Sequence, residues 1–219
     1  MRIKALILHL LFPEKCVLCG RVLKKDETDL CRDCRVNVPD CPVTGRRRNF
    51  LDSWLALWYY EGNVRRSLVL YKFYHHRSYV QTYGRLLAMK LRREHPEGLD
   101  VLTWVPISFL RKLFRGYDQV ELLAHVVGRE LEMEPVPLLK KIRHNRPQSG
   151  IVGQAHRRAN VLGVYRVTDP ELVRGRRILL LDDIITTGAT ADEAARVLLT
   201  AGGSQVHFGA VAAARHKSK

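Results

Sequence analysis

Two adjacent acids followed by a run of small residues are the part of the chain best suited to chemistry. Asp182 and Asp183 come directly after the apolar run 178–181. The small residues that follow are Thr186, Thr187, Gly188, Ala189 and Thr190. Such a loop before a helix presents unpaired amides and hydroxyls, which bind phosphate with help from the helix dipole. Because two carboxylates suit hydroxyl groups or a divalent cation instead, the pattern predicts a ribose 5-phosphate site.

The alternative is an ordinary strand-to-helix turn in which threonines cap the helix and the acids lie at the surface. The ordered series is more specific than any of its parts: an apolar run, Asp-Asp, two apolar residues and Thr-Thr-Gly-Ala-Thr. This series resembles the phosphoribosyl diphosphate (PRPP) motif of type I phosphoribosyltransferases. It is not a P-loop, because no lysine follows the glycine.

Four cysteines form two closely spaced pairs near the amino terminus. Cys16 and Cys19 are followed, after eleven residues, by Cys31 and Cys34. Each pair presents two thiolates, and two pairs complete a tetrahedral zinc site with no open position for catalysis. Because the segment is too short for its own hydrophobic core, we expect zinc to supply its folding energy. Two disulfides are the alternative, which we favour less because we find no export signal.

A fifth cysteine, Cys41, begins the sequence Cys-Pro-Val-Thr-Gly, in which Thr44 stands where a pair would have its second cysteine. We expect Cys41 to be a free thiol. Arg46, Arg47 and Arg48 follow, and we place the boundary between two modules at this basic patch. The patch is typical of a solvated linker, and a nucleic-acid contact is the alternative.

The acids and the small-residue loop need a parallel sheet to position them. We predict that residues 178–181 form a strand buried on both faces and that 191–201 form a helix stopped by glycines. Other predicted strands are 54–60, 100–105, 161–167 and 205–213. Other predicted helices are 63–73 with Asn63 as its cap, 83–94, and an amphipathic helix after Gln119 with Val120, Leu123, Val127 and Leu131 on one face.

Two basic segments are candidates to face the pyrophosphate part of such a ligand. Arg111 and Arg115 lie in the loop after the strand 100–105. Residues 140–158 contain six Lys or Arg, including Arg143 and Arg157, and no acid. A cationic loop there could close over the phosphate site as a lid. The first segment is equally consistent with a basic surface loop, and the second with a contact to a nucleic-acid backbone.

The overall charge indicates an anionic partner. The chain has 37 Lys and Arg against 22 Asp and Glu, a formal net charge of +15. Such an excess favours nucleic acid above other partners, although a pyrophosphate site also needs cations. With 219 residues, 46% of them hydrophobic, the chain can form one substantial core and a small additional module.

The amino-terminal residues 1–12 are apolar after a basic start, but Lys4 and His9 interrupt them and no small-residue cleavage site precedes Cys16. We expect a retained amphipathic helix ended by Pro13 rather than a signal peptide. No apolar run reaches the roughly 18 residues that a spanning helix requires. We therefore expect a cytoplasmic protein with no membrane span.

With these motifs placed, the chain resembles the ComF family, also called the GntX or late-competence DNA-uptake type of phosphoribosyltransferase-like protein. The resemblance covers nearly the full length. Its motifs are FPEKCVLCG at 12–20, CRDC at 31–34, YEG at 60–62, KF at 72–73, VP at 105–106, RGYDQ at 115–119, RPQSG at 146–150, RRANVLGVY at 157–165 and LLLDDIITTGAT at 179–190. The last is specific to phosphoribosyltransferases, and its combination with the four-cysteine module is specific to this family. Thr44 and the sequence KFYHH at 72–76 depart from the family pattern.

The resemblance implies an α/β, type I phosphoribosyltransferase fold: a mostly parallel sheet flanked by helices, with a small hood and an amino-terminal four-cysteine zinc module. We place the amino-terminal helix and zinc module at 1–48 and the phosphoribosyltransferase-like domain at 49–219. By the same match, Asp182 and Asp183 hold the ribose hydroxyls of PRPP, which binds with magnesium, and residues 186–190 hold its 5-phosphate. The candidates for pyrophosphate or DNA are Arg111, Arg115, Arg143 and Arg157.

The function implied is that of a PRPP-binding competence protein that interacts with incoming single-stranded DNA, beside a competence helicase or other DNA-uptake proteins. Any transferase chemistry would be displacement of pyrophosphate from PRPP by a nitrogen nucleophile, and the sequence leaves this activity open. One alternative is a metabolic phosphoribosyltransferase with a zinc appendage. Another is a nucleic-acid-binding regulator that uses PRPP as a signal.

Overall fold

A computed structural model describes residues 13–42, 48–74, 76–95, 98–143 and 161–215. The predicted amino-terminal helix at 1–12 and the predicted site residue Arg157 lie outside these residues. The described helices are α1 (Arg32–Asn37), α2 (Gly62–Phe73), α3 (Tyr79–Glu94), α4 (Phe109–Arg115), α5 (Gln119–Leu131) and α6 (Ala189–Thr200). The described strands are β1 (Ser53–Tyr59), β2 (Val101–Trp104), β3 (Leu139–Lys141), β4 (Tyr165–Val167), β5 (Arg177–Ile185) and β6 (Gln205–Ala213).

The centre of the fold is a parallel sheet of four strands in the order β1-β6-β5-β2. The two central strands, β5 and β6, are almost completely buried. Their apolar runs suit this position, because a parallel sheet with helices on both faces shields every residue of its inner strands. The predicted α/β architecture is confirmed.

Alternate residues of β5 pack into two separate hydrophobic clusters. Leu179 and Leu181 face the cluster that contains α2, α3 and α5. Ile178 and Leu180 face the cluster that contains α6. This alternation follows from the two-residue period of a strand, and it fixes α6 on the opposite face from the other three helices.

A second sheet forms a small hood beside α6. It consists of β3 and β4, which pair antiparallel with Leu139 opposite Val167 and Lys141 opposite Tyr165. Leu139 and Tyr165 are buried in the same cluster as α6. Glu193 of α6 accepts a hydrogen bond of 2.8 Å from the Gly163 amide and so ties the chain entering β4 to this helix.

The four-cysteine module packs directly against the helices of the main sheet. Val17 and Leu18 belong to the same hydrophobic cluster as α2 and α3. Ser67 of α2 donates a hydrogen bond to the Val17 carbonyl, and Arg85 of α3 pairs with Asp29. The module therefore shares the hydrophobic core of the main sheet.

Several element boundaries differ from the predicted ones. Strand β5 continues to Ile185, because the backbones of Asp182 and Ile185 pair with β6. The acids therefore lie within the strand, and the prediction that they follow it is wrong. Asn63 is not a cap, since α2 begins at Gly62 and Glu61 occupies the cap position. Of the predicted strand 161–167, the structure has only 165–167.

Candidate functional site

A cavity of about 880 Å³ opens at the carboxyl ends of the parallel strands. The carboxyl half of β5, the residues after β1 and β2, and the start of α6 form its floor and one wall. The remaining walls come from α2, α4 and the hood. Open α/β sheets bind ligands at this end of their strands, because the loops and helix amino termini converge there.

The Asp183 carboxylate is held in place by side chains from two other elements. Lys72 of α2 donates to one of its oxygens and Gln119 of α5 donates to the other, both at 2.8 Å. Asp183 is buried and Lys72 is nearly so. These contacts satisfy both oxygens of Asp183, so its first role in the fold is to join β5 to α2 and α5.

The Asp182 carboxyl group has fewer protein partners than the Asp183 carboxylate. One oxygen accepts a hydrogen bond of 2.7 Å from the Asp183 amide, and the other has no hydrogen-bond partner among the described residues. Burial, with the nearby negative charge of Asp183, raises the pKa of Asp182 well above its ordinary value. A carboxylate in this position gains from hydroxyl donors or a cation supplied by a ligand.

The loop from Thr186 to Thr190 turns from β5 into α6 at the edge of the cavity. Gly188 has φ +78°, the left-handed conformation that glycine adopts without strain. Within the described part of the chain, the amides of Thr186, Thr187 and Gly188 donate to no protein acceptor. The loop thus offers unbonded amides at a helix amino terminus, as an anion site requires.

Arg48 contacts this loop but is not one of the residues that line the cavity. Its guanidinium donates a hydrogen bond to the Thr187 carbonyl and lies 3.9 Å from the Asp192 carboxylate. Asn49 donates to the other Asp192 oxygen at 2.9 Å. A side chain at Gly188 would clash with the Arg48 guanidinium. Arg48, placed in a module boundary by the sequence, therefore contacts the predicted phosphate loop.

Cationic side chains line the cavity opposite the two acids. They include Arg111 and Arg115, two of the predicted candidates, and Lys141 of the hood, which the sequence did not single out. Arg111 and Arg115 lie in the helix α4 and not in the loop that the sequence indicated. Arg115 donates to the Gln119 side chain at 2.7 Å, which extends the hydrogen-bonded chain that ends at Asp183. Arg111 and Lys141 make no hydrogen bond or ion pair with the residues described here.

Among the cations that line the cavity, Lys141 has the most strongly shifted pKa. Burial, with repulsion from Arg111, lowers the pKa of Lys141 to about 8, although Asp182 opposes this shift. Its ammonium group lies 5.9 Å from the centre of the Tyr165 ring. A buried ammonium of this kind is stabilised by an anionic ligand, because the ligand replaces the water that burial has removed.

The other two predicted arginines do not extend this group. Arg143 is exposed, near Gly163, and is not one of the residues that line the cavity. Arg157 lies outside the described residues. The signal that separates Lys141 from Arg143 is the strand pairing of the hood, which sets Lys141 opposite Tyr165.

The sequence RGYDQ at 115–119 holds the site together through hydrogen bonds of Tyr117, Asp118 and Gln119. Asp118 caps α5 by accepting from the Val120 and Glu121 amides, and it also accepts from the Ile107 amide at 3.1 Å. The Tyr117 hydroxyl donates to the Tyr71 carbonyl at 2.5 Å. These bonds fix the chain on both sides of α4 and set Gln119 at hydrogen-bonding distance from Asp183.

The four cysteines of the amino-terminal module come together as predicted. The Sγ atoms of Cys16, Cys19, Cys31 and Cys34 all lie within 4.8 Å of one another, and none is in a disulfide. Four thiols at this spacing fit a tetrahedral zinc ion. Cys41 is a separate, buried free thiol, as expected, and burial raises its pKa.

Comparison with known sequences identifies two regions of the chain. Residues 7–53 match the double zinc ribbon domain family, and residues 120–219 match the phosphoribosyl transferase domain family. Competence protein F of Haemophilus influenzae is 24% identical over 93% of this chain and 98% of its own length. Competence protein ComFC of Bacillus subtilis is 27% identical over 85% of this chain and 72% of its own. DNA utilization protein YhgH of Escherichia coli O157:H7 is 27% identical over 87% and 86%.

The fold and these matches define a protein with a type I phosphoribosyltransferase fold and a structural zinc ribbon. The chain belongs to the ComF family, whose named members include competence proteins. None of the described helices is long and apolar enough to cross a membrane.

Proposed function

We propose that this protein binds PRPP with magnesium in the cavity at the carboxyl ends of β5 and β2. The observation that carries the proposal is that one carboxyl oxygen of Asp182 and the nearby amides of Thr186 to Gly188 have no hydrogen-bond partner among the described residues. A ribose 5-phosphate needs hydroxyl acceptors and amide donors side by side. Strand β5 and the loop that follows it supply both in consecutive residues.

The cations opposite Asp182 suit the pyrophosphate of the same ligand. Arg111, Arg115 and Lys141 line the cavity, and Arg111 and Lys141 have no anionic partner among the described residues. Magnesium, when bound with PRPP, would neutralise part of the charge on the phosphate oxygens. Asp182 is the acid available to interact with this metal or with the ribose hydroxyls, because Lys72 and Gln119 already bind Asp183.

The same arrangement would support a transfer reaction if a nitrogen nucleophile enters the cavity. The bond from the anomeric carbon to the pyrophosphate breaks, a new bond to nitrogen forms, and the pyrophosphate leaves with its electron pair. The nitrogen then releases its proton to solvent. The cationic side chains stabilise the departing negative charge. The proposed role of this protein requires only that it binds PRPP. Turnover in the transferase reaction is a separate activity, which release of pyrophosphate would measure.

We also propose that the protein interacts with incoming single-stranded DNA during natural transformation, near a helicase or other DNA-uptake proteins. Two of the curated relatives have competence in their names and a third is named for DNA utilization. The net charge of +15 favours a polyanion. We propose in addition that the chain divides into a zinc module at 1–48 and a phosphoribosyltransferase-like domain at 49–219.

A metabolic phosphoribosyltransferase is the second candidate, favoured by the aromatic side chains of the cavity wall. Tyr60, Phe73 and Phe114 line the cavity together with the ribose and phosphate candidates. Aromatic rings offer a stacking surface for a planar base as the acceptor. Pyrophosphate release from PRPP in the presence of individual nucleobases or amines would support this candidate.

Calorimetric titration with PRPP and magnesium tests the proposed site. Asp182→Asn should weaken binding by about tenfold or more, the equivalent of losing one charged hydrogen-bonding partner. Asp169→Asn is the matched control, since Asp169 is exposed in the turn before β5, and it should bind PRPP like the unaltered protein. Equal affinities for all three proteins would refute the assignment of the ribose site.

A further inference from the structure

The helix α4 exposes its apolar side chains to solvent. Phe109, Leu113 and Phe114 are 78%, 67% and 88% exposed, and Leu110 is 49% exposed. No residue of this helix is buried. Most helices of a folded protein turn such a face toward the core, so an apolar face left open at the mouth of a cavity indicates a surface that another molecule covers.

The opposite face of the same helix is cationic and turned toward the site. At 100° per residue, Arg111 and Arg115 lie about 40° apart on one side of the helix, and Phe109 lies on the other side. Phe114 lies between them, about 60° from Arg111. Arg111, Phe114 and Arg115 all line the cavity. The helix therefore presents aromatic rings and cations at the same rim.

An aromatic side chain of α2 extends this rim. Phe73 is 59% exposed and also lines the cavity. The Arg115 guanidinium lies 4.8 Å from the centre of its ring, so α2 and α4 meet at this point. We define the rim surface as Phe73, Phe109, Arg111, Lys112, Phe114 and Arg115. Neither α2 nor α4 contains an acidic residue.

We infer that the rim surface binds single-stranded nucleic acid, with bases stacked on the exposed rings and phosphates on the cations. This inference rests on the DNA interaction proposed above and assigns it a place. Unpaired bases stack on aromatic side chains whatever their sequence, and a cationic groove follows the backbone. The bases of a duplex are already stacked on one another, so duplex DNA would use the cations alone.

Charge complementarity favours this occupant over a second copy of the chain. The cations of the rim would face one another in a symmetric dimer, and of the rim residues only Lys112 has an acidic partner, Glu121, in the described part of the chain. A polyanion instead meets a cation beside every ring. The strand would then cross the mouth of the cavity and share Arg111 and Arg115 with bound PRPP, so that each ligand changes the affinity for the other.

Fluorescence anisotropy with labelled oligothymidylate, at low and at raised salt, tests the inference in the full chain. Phe109→Ala should weaken binding about fivefold or more, and Phe109→Ala/Phe114→Ala should weaken it further, because each ring contributes a stacking site. Phe109→Trp should retain binding. Val36→Ala/Met89→Ala is the control, since it removes comparably exposed apolar side chains elsewhere and should have no effect.

The variants also separate the inference from the function on which it rests. Phe109 does not line the cavity, so Phe109→Ala should leave PRPP affinity unchanged, and it should leave duplex binding unchanged as well. Salt-sensitive oligothymidylate binding that both alanine variants retain would overturn the rim surface but leave the DNA interaction standing. A natural protein that binds PRPP but no oligothymidylate would refute the DNA interaction itself. Unchanged oligothymidylate binding with loss of self-association or of vesicle binding in the double variant would assign the rim to a second copy or a membrane.

Discussion

Asp182 and Asp183 are neighbours in the chain, yet their surroundings give them different roles. Lys72 and Gln119 bind both oxygens of Asp183, and this carboxylate is buried. Asp182 keeps one oxygen free of partners among the described residues. A motif of two acids therefore contains one residue that supports the architecture and one that is available to a ligand.

This difference predicts opposite effects of the two amide substitutions on stability. Asp183→Asn leaves the Lys72 ammonium buried without its counter-charge, and we expect a loss of about 3 kcal/mol in the free energy of unfolding. Asp182→Asn removes a charge that burial and Asp183 make unfavourable in the folded state, as the raised pKa of Asp182 shows, so it should increase the free energy of unfolding. Urea unfolding of both variants measures the contrast, and equal losses would contradict it.

Lys141 should take up a proton when PRPP binds. Its pKa of about 8 leaves much of the amine neutral at a pH of about 8.5, and an anionic ligand beside it raises that pKa toward its ordinary value. The phosphate groups of PRPP are fully ionised there and take up none. Calorimetry in buffers of different ionisation enthalpy should show uptake of up to about one proton.

Lys141→Met provides the control for this measurement. It should bind PRPP more weakly and without proton uptake at the same pH. In the free protein, the unfolded chain binds more protons than the folded one between pH 8 and the ordinary pKa of 10.5, so the Lys141 contribution to stability rises with pH in that window. An uptake that persists in the methionine variant would assign the proton to another group.

The sequence allowed prediction of the residues that come in one local motif, and not of those that distant segments bring to it. The two acids, the small-residue loop and the four cysteines have fixed spacings that identify them. Arg48 contacts the Thr187 carbonyl across 139 residues, and Lys72 reaches Asp183 across 111. Contacts at such separations depend on tertiary packing, which spacing alone does not encode.

Among the elements, the junction between β5 and α6 depends most on backbone conformation. Gly188 has a positive φ and leaves room for the Arg48 guanidinium behind the loop. A side chain there is unfavourable twice, through strain and through contact with Arg48. If Arg48 moves to relieve this contact, its hydrogen bond to the Thr187 carbonyl is lost and the loop loses a support.

We expect Gly188→Ala to lower both stability and PRPP affinity. The left-handed backbone alone costs about 1 kcal/mol for a residue with a Cβ. Gly175→Ala is the matched control, because Gly175 has φ +71° with no atom within 4 Å of the added carbon. It should show the stability loss and normal PRPP affinity. Equal PRPP affinity in both variants would mean that the loop does not hold the phosphate.

Elements with strong local signals were predictable, and their limits were less so. The continuous apolar run of β5 identifies a buried strand, and the apolar residues spaced three or four apart in α5 identify an amphipathic helix. The ends of β5 and α3 were missed because tertiary contacts decide them: β6 extends β5 to Ile185, and α3 begins four residues earlier than predicted, at Tyr79. The unusual exposure of α4 is likewise a property of its place in the fold.

In the molecule as a whole, the cysteine module and the main sheet share one hydrophobic core, although they follow one another as separate modules in the sequence. This shared cluster includes Cys16, Cys31, Trp58 and Leu179. The zinc site therefore supports one face of the sheet. Loss of the metal should then affect the complete chain and not the amino-terminal segment alone.

We expect Cys31→Ser to lose zinc and to destabilise the complete chain by several kcal/mol, because zinc binding supplies folding energy to the module. Tryptophan fluorescence during urea unfolding should report this loss, since Trp58 and Trp104 are buried in the shared cluster. Cys41→Ser is the control: Cys41 lies in the other cluster and should leave the content at about one zinc per chain. Zinc loss without a shift in the tryptophan transition would contradict a shared core.

The measurement that tests the account most directly is a crystal structure with PRPP and magnesium bound. We predict that the 5-phosphate accepts hydrogen bonds from the amides of Thr187 and Gly188, with the ribose hydroxyls at Asp182 and the pyrophosphate near Lys141. A structure in which the phosphate lies elsewhere, with these amides bonded to protein groups instead, would contradict the account.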